Sequence, residues 1–303
     1  MGMRFAVVGT GYWARETHAT ALAAHPDVDL VGVWGRSFAR AAELAQAFGA
    51  RPYERADDMF ADVDAVAFAV PPNVQAALAV RAATRGCHLL LDKPMAFSTA
   101  AADRIVEAVE GAGVRSLVFF TSRFTANQAD WLTGVQQEPA WNSGYVRMYG
   151  SIFEPGNPYG TSAWRRARGA LWDIGPHALS ILVAALGPVT HVLADRGLGD
   201  TVTIVLHHRS GAASTMSLSL TAPPGSLGST WQLFGEHRQT SMPEATTTPA
   251  AAMGACISTL LTEQPGRWRH PCDASFGRDV VAILQAADAF LQRPLDDRVQ
   301  LVG

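Results

Sequence analysis

The stretch Phe5-Ala6-Val7-Val8-Gly9-Thr10-Gly11-Tyr12-Trp13-Ala14 decides how the chain is read. Four apolar residues run without alternation into two glycines set two apart, and a small residue closes the turn before a segment of helical period. A short, continuous apolar run is the pattern of a strand buried on both faces, as in a parallel sheet covered by helices. In that setting Gly9 permits the tight turn, Gly11 lets the backbone approach a bulky anion, and Ala14 keeps the helix close to the sheet. N–H groups at a helix start, backed by the helix dipole, suit phosphate. Gly9, Thr10, Gly11, Tyr12 and Trp13 are therefore candidate ligands of a dinucleotide.

Outward from this stretch the first 121 residues keep alternating. The apolar runs Leu30–Trp34, Ala65–Val70, His88–Leu91 and Leu117–Phe120 are separated by helical periods over Tyr12–Ala24, Phe38–Phe48, Val74–Arg85 and Thr99–Glu110. This order predicts a right-handed, doubly wound parallel sheet, a Rossmann-type α/β domain. After Phe120 the texture changes. A helix is expected at Asn127–Val135, then longer strands at Tyr145–Phe153, Thr201–His208, Ala213–Leu220 and Thr230–Phe234, with helices at Ala170–Leu186, Ala250–Leu261 and Phe276–Leu291. Met216, Leu218 and Leu220 alternate with Thr215, Ser217 and Ser219, which predicts an open, mainly antiparallel sheet with one Ser/Thr-rich face. Two domains are expected: residues 1–121 for the dinucleotide and 122–303 as an α+β unit for substrate and oligomerisation. Met242–Pro249 reads as a loop.

A formal net charge of −3 gives no electrostatic reason to expect nucleic acid or an anionic membrane as partner. No run approaches the roughly 18 apolar residues of a membrane helix. Cys87, Cys256 and Cys272 form no paired spacing, which argues for a reducing, cytoplasmic setting and against a structural zinc. No metal site is expected.

The end of the second strand bears on the nucleotide. A ribose 2′-hydroxyl is usually met there by Asp or Glu; here Trp34 is followed by Gly35-Arg36-Ser37. Arg36 can pair with a 2′-phosphate and Ser37 can hydrogen-bond it, with Arg40 one turn on, so NADP is favoured over NAD. Pro71, after the run Ala65–Val70, and Asp92, after the run His88–Leu91, complete the candidate cofactor ligands. Lys93 follows Asp92, at the strand end where such folds bind ligands, and so falls beside the nicotinamide.

Three ordered motifs now stand together: Gly9-x-Gly11-x-x-Ala14, Asp92-Lys93-Pro94, and Asp173-Ile174-Gly175-Pro176-His177. They resemble the glycine turn, E-K-P and D-x-G-x-H motifs of the Gfo/Idh/MocA family, named for glucose–fructose oxidoreductase, inositol dehydrogenase and rhizopine catabolism. The resemblance spans essentially the whole chain. It implies a Rossmann domain followed by an open-sheet substrate domain, with Lys93, Asp173 and His177 as the catalytic group and a Lys93–Pro94 peptide that is cis. It implies hydride transfer between NAD(P) and a carbonyl or alcohol of a small sugar, polyol or keto-sugar, in a homodimer or homotetramer. The residues suit that chemistry. Histidine can move a proton near neutral pH; Pro176 is tolerated only in a first helical turn, which sets Asp173 and His177 at a helix N-terminus; an ammonium at Lys93 would polarise the substrate oxygen.

Some positions depart from the family pattern. Asp92 replaces glutamate, Ala167 and Arg168 stand before Gly169, and Ser180 occupies a place where relatives carry a substrate-binding polar residue. Arg123 and Arg165 are candidate substrate contacts by position alone, with a structural or solvated arginine the equal alternative for each. A redox-neutral enzyme with tightly held NAD(P), or a dinucleotide sensor, are the alternatives; the retained Lys93, Asp173 and His177 argue against the sensor.

Overall fold

In the computed structural model residues 2–138, 140–262 and 268–293 are described. They fall into two compact units, one of residues 2–134 with 243–262 and 268–281, and one of 135–138 and 140–242 with 282–293.

The first unit is built on β1 (Met3–Val8), a π-helical turn (Ala14–Ala19) running into α1 (Thr20–Ala24), β2 (Val28–Trp34), α2 (Phe38–Ala47), β3 (Arg51–Tyr53), α3 (Ala56–Ala61), β4 (Ala65–Phe68), α4 (Pro72–Thr84), β5 (His88–Asp92), α5 (Thr99–Ala112), β6 (Ser116–Phe119) and α6 (Thr121–Phe124). The sheet order is β3-β2-β1-β4-β5-β6, and every pair is parallel. Phe5–Val8, Ala65–Phe68, Leu89–Leu91 and Leu117–Phe119 are fully buried, as their unbroken apolar runs require. The reversal between β1 and β4 opens the carboxyl edge where ligands bind in such sheets.

The chain leaves this unit through α7 (Ala126–Gln137). The second unit contains β7 (Ser143–Tyr149), α8 (Ala163–Asp173), α9 (Gly175–Leu186), β8 (Val189–Arg196), β9 (Val202–His208), β10 (Ala213–Ser219), a 3₁₀ turn (Pro224–Ser226), β11 (Gly228–Phe234) and β12 (Gln239–Ser241). Its sheet order is β12-β11-β7-β10-β9-β8, antiparallel except for β7 beside β10. Met216, Leu218 and Leu220 face the helices and are buried. Ser219 departs from the expected solvent-facing row: its hydroxyl donates to Asp200 at 2.6 Å and it is buried under that loop.

α10 (Pro249–Leu261) and α11 (Ala274–Leu291) follow. The single boundary expected at residue 121 does not describe the packing. α10 lies against α1, α6 and β6, and the segment leading into α11, with that helix's first residue, closes the free edge of β6: Val118 N–H donates to the Cys272 carbonyl at 2.8 Å, and the Ser116 hydroxyl accepts from Ala274 N–H at 3.1 Å. An edge strand left bare would invite pairing with another chain. Residues 243–262 and 268–281 therefore belong with the dinucleotide-type sheet, and 263–267 and 294–303 of the expected second domain lie outside the described residues.

The single helix expected over Ala170–Leu186 is also interrupted. Gly169 takes φ 64° and ψ −164°, Asp173 closes α8, and Gly175 opens α9. Ala163–Leu186 taken together is long and apolar enough to cross a membrane, contrary to the expectation that no run approaches that length. Its window is 67% buried within the protein, the position of a core helix pair.

Candidate active site

In the first unit the carboxyl ends of adjacent strands carry the expected ligands in one row: Gly35–Ser37 after β2, Gly9–Trp13 after β1, Pro71 after β4, and Asp92-Lys93 at β5. Gly9 has φ 136°, and a Cβ there would collide with the carbonyl group of Ala69 after β4. Gly11 is different. A Cβ at Gly11 would point into open space, so its glycine leaves the main chain accessible and relieves no clash. Gly35 is needed for a third reason: its Cβ would lie 2.6 Å from the Thr10 methyl, so β2 ends against the glycine turn. Gly9 and Gly35 are buried and let the strand ends pack closely, while Gly11 leaves exposed backbone at the helix start, an arrangement that fits a pyrophosphate.

Arg36 and Arg40 are exposed. The Ser37 hydroxyl caps α2, accepting from Arg40 N–H at 3.4 Å, and its own O–H remains a donor. Trp13 stands edge-on to His18, with ring centroids 6.4 Å apart. His18 lies in the π-helical turn and is fully buried between Trp13 and Phe119, with neither ring nitrogen hydrogen-bonded among the described residues. Burial pushes its pKa down to about 3.

Lys93 is half-buried at the end of β5, its N–H held by the Asp92 carboxylate at 2.8 Å, and the Lys93–Pro94 peptide is cis as expected. Asp92 is short enough to fold back onto the next N–H, which gives the departure from glutamate a local use. Sequence reading overlooked a plain signal here. Lys93 is the single lysine of the chain; the other basic side chains counted with it among the 24 Lys and Arg residues are all arginine.

In the second unit Asp173 ends α8 and His177 sits in the first turn of α9, with Pro176 beside it where proline is tolerated. Asp173 is 5% exposed and forms an ion pair with Arg165, Nε to Oδ1 at 3.1 Å. Arg165 in turn lies over the rings of Trp164 and Tyr159, 4.7 and 4.9 Å from their centroids. That places Arg165 as the support of Asp173. Arg123, in the first unit, lies over the Phe276 ring at 5.7 Å. Ser180 is fully buried and its hydroxyl donates to the His177 carbonyl at 2.8 Å, so it braces the helix turn that carries His177. Gly175, at the start of α9, packs closely on Leu284: a Cβ there would lie 3.1 Å from that side chain.

Residues 3–120 match the model of the oxidoreductase family with an NAD-binding Rossmann fold, and residues 142–240 match the GFO/IDH/MocA C-terminal domain. The chain belongs to the Gfo/Idh/MocA family. Its first unit is thus an NAD-binding Rossmann fold. Among its relatives, dTDP-3,4-didehydro-2,6-dideoxy-α-D-glucose 3-reductase of Streptomyces antibioticus is 32% identical over 62% of this chain and 58% of its own length. UDP-N-acetylglucosamine 3-dehydrogenase of Acidithiobacillus ferrooxidans is 36% identical over 34% of this chain and 32% of its own. The chain therefore spans about half or less of these relatives' lengths. The solved structure of the WlbA dehydrogenase from Bordetella pertussis, in complex with NADH and UDP-GlcNAcA, superposes with a TM-score of 0.81 at 23% identity, covering 95% of each chain, and shares the fold of this member of the family.

Proposed function

We propose that this Gfo/Idh/MocA protein is an NAD(P)-dependent oxidoreductase that moves a hydride between the nicotinamide and a carbonyl or alcohol of a small sugar-like substrate. The observation that carries this reading is the row along the carboxyl edge of the first sheet. Strand spacing of roughly 4.8 Å sets the glycine turn of β1 about 10 Å from Lys93, with β4 between them. A pyrophosphate at Gly9–Trp13 then directs the adenosine ribose to Arg36 and the nicotinamide to Lys93. The bound cofactor supplies the donor or acceptor of the hydride.

Lys93, Asp173 and His177 form the proposed catalytic group. In oxidation the substrate O–H proton goes to the His177 imidazole as the carbon gives up its hydride; in reduction both transfers reverse. The Lys93 ammonium polarises the substrate oxygen, and a chain that uses arginine for every other fixed cation keeps a compact point charge at this one place. Asp173, held by Arg165, supplies the carboxylate that orients its neighbours. The relatives above are named for reactions at carbon 3 of nucleotide-linked hexoses, so a panel of such sugars and their free forms, with absorbance of reduced nicotinamide as the readout, tests the reading. No turnover of any of them with either nicotinamide, in either direction, would count against it.

NADP is the proposed preference. Arg36→Ala is expected to weaken NADPH by about 1.5–3 kcal/mol, the worth of a charge-assisted contact, and to leave NADH nearly untouched. Fluorescence titration of wild type and variant reads both affinities, and a wild type that prefers NADH removes the assignment.

A homodimer or a dimer of dimers is the proposed assembly. Thr203 is exposed, and Thr215 and Ser217 half-buried, on the sheet face opposite the helices, so the second unit offers a broad semi-polar surface. Light scattering at micromolar concentration should give at least twice the mass of one chain; a monomer contradicts the proposal. All three cysteines are free and buried, with Cys87 and Cys272 pushed up to about 11 by desolvation, which fits a reducing cytoplasm.

A further inference from the structure

Gln75 is not explained by the glycine turn or by the acid–base pair. It lies near the start of α4 with no exposed surface. Its side-chain amide pairs with both backbone groups of Asp92: Oε1 accepts from Asp92 N–H at 2.8 Å, and Nε2 donates to the Asp92 carbonyl at 2.8 Å. The same Nε2 donates to the Met95 carbonyl at 3.1 Å and meets the Pro94 carbonyl at 3.5 Å. One orientation of the amide alone satisfies this set, because the N–H needs an acceptor and the carbonyls need donors. The contacts bracket Lys93, whose own N–H is held by the Asp92 carboxylate. The main chain at the lysine is pinned from α4 on one side and by its neighbour on the other.

A neutral amide suits this position. An ionised glutamate accepts only and would face three carbonyl oxygens; leucine offers neither donor nor acceptor; asparagine is one methylene short of the turn. Buried backbone groups left unmet would let the turn shift to find water.

We propose that Gln75 is a positioning residue: it fixes the turn Asp92–Met95 so that the Lys93 ammonium is held in one place at the carboxyl end of β5. The proposal rests on the reading of Lys93 as a group that acts beside the dinucleotide, and the test separates the two. Because the chain has one lysine, an N-hydroxysuccinimide acetate reagent reaches one side-chain amine, and peptide mass spectrometry reads Lys93 by itself. In the wild type, saturating NADPH or NADH is expected to slow Lys93 acetylation roughly tenfold, as a bound ligand that fills the space beside the amine would. Gln75→Asn and Gln75→Glu are expected to stay folded, with a melting temperature lowered by the unmet backbone groups, and to bind the dinucleotide within about threefold, yet to lose most of that protection. With a sugar that turns over, kcat is expected to fall roughly 10- to 100-fold with little change in sugar KM.

Gln75→Glu adds a readout that a purely structural role would not move. Burial raises the pKa of the new carboxyl group, and the neutral acid regains one donor and one acceptor for Asp92. Lys93 protection in this variant, relative to wild type at the same pH, is therefore expected to recover as pH falls and to vanish as it rises. If Gln75→Glu does not fold at neutral pH, Gln75→Asn carries the same comparison. Full protection and unchanged kcat in a folded variant at every pH overturn the positioning role. Absence of protection in the wild type overturns the placement of Lys93 beside the dinucleotide, and with it the role given to Gln75.

Discussion

His177→Ala is expected to lower kcat by roughly 10²–10⁴, the loss that follows removal of a positioned general acid–base. The expectation follows from where the residue stands. His177 is half-buried in the first turn of α9, and the bracing contact at this turn is made by its carbonyl to the Ser180 hydroxyl, which truncation of the side chain leaves in place. The melting temperature should therefore move by a few degrees at most, and NADPH should still bind in the first unit. Lys93→Arg makes the companion case. The positive charge is retained, but a compact ammonium is replaced by a planar guanidinium that delivers its protons in a fixed fork. A fall in kcat comparable to that of His177→Ala, with nicotinamide affinity kept within a few-fold, would place the ammonium at the reacting oxygen. Asp173→Asn should give a smaller defect, since Arg165 holds that side chain and the carboxylate acts through its neighbours. A folded His177→Ala protein that turns over its substrate at near wild-type kcat would mean that another group moves the proton.

The second large effect is on stability in acid. His18 is fully buried, and its pKa is pushed down to about 3 by desolvation alone, against about 6.5 in an unfolded chain. Between those two values the unfolded chain holds a proton that the native protein refuses. Stability is therefore fully present above pH 6.5 and is lost as pH falls from there toward 3, by about 1.4 kcal/mol for each pH unit. Moving from pH 6.5 to 4.5 should cost on the order of 2–3 kcal/mol through this residue. His88, pushed down to about 4 by burial and then by Arg115, adds a loss of the same sign. His18→Phe keeps an aromatic ring beside Trp13 and Phe119 and removes the titration. Urea unfolding of the protein, followed at several pH values, should give a visibly flatter acid limb for the variant than for the wild type. Parallel limbs would show that the wild-type imidazole accepts its proton in the native state.

The sheet, the glycine turn, Lys93 and the Asp173–His177 pair could all be read in the sequence, because each is written locally: an unbroken apolar run, two glycines, a charged residue at a strand end, a proline inside an expected helix. What escaped was set by contacts between distant segments. The three residues of β3 are too few to carry a period. β8 has mostly exposed or half-buried side chains and no clean alternation. The period over Pro249–Leu261 marks a helix but not the sheet it covers, so its place against α1 and β6 could not be seen from the apolar pattern. Gln75 did leave a trace: it falls on the stripe that also holds Leu78, Ala79 and Ala82, and a polar side chain in the middle of a buried face needs a partner. The partner, a backbone turn seventeen residues further on, has no signature of its own. Arg165 is a candidate substrate contact by position alone, with a structural role equally open, and its ion pair with Asp173 supplies a structural task that the sequence could not name.

The closing of β6 by residues at the start of α11 has a meaning for how the protein is made. A nascent chain emerges in order, and the parallel sheet is complete by Phe119, but its last strand stays uncovered until Cys272 and Ala274 leave the ribosome. All of β7 to β12 is synthesised in between. The dinucleotide unit thus cannot mature as an independent first product, and for that interval a strand with a bare edge waits beside newly made strands of the second sheet. A fragment ending at residue 121 would hold that state permanently, lacking α10 as well as the edge cover, and should expose apolar surface and self-associate.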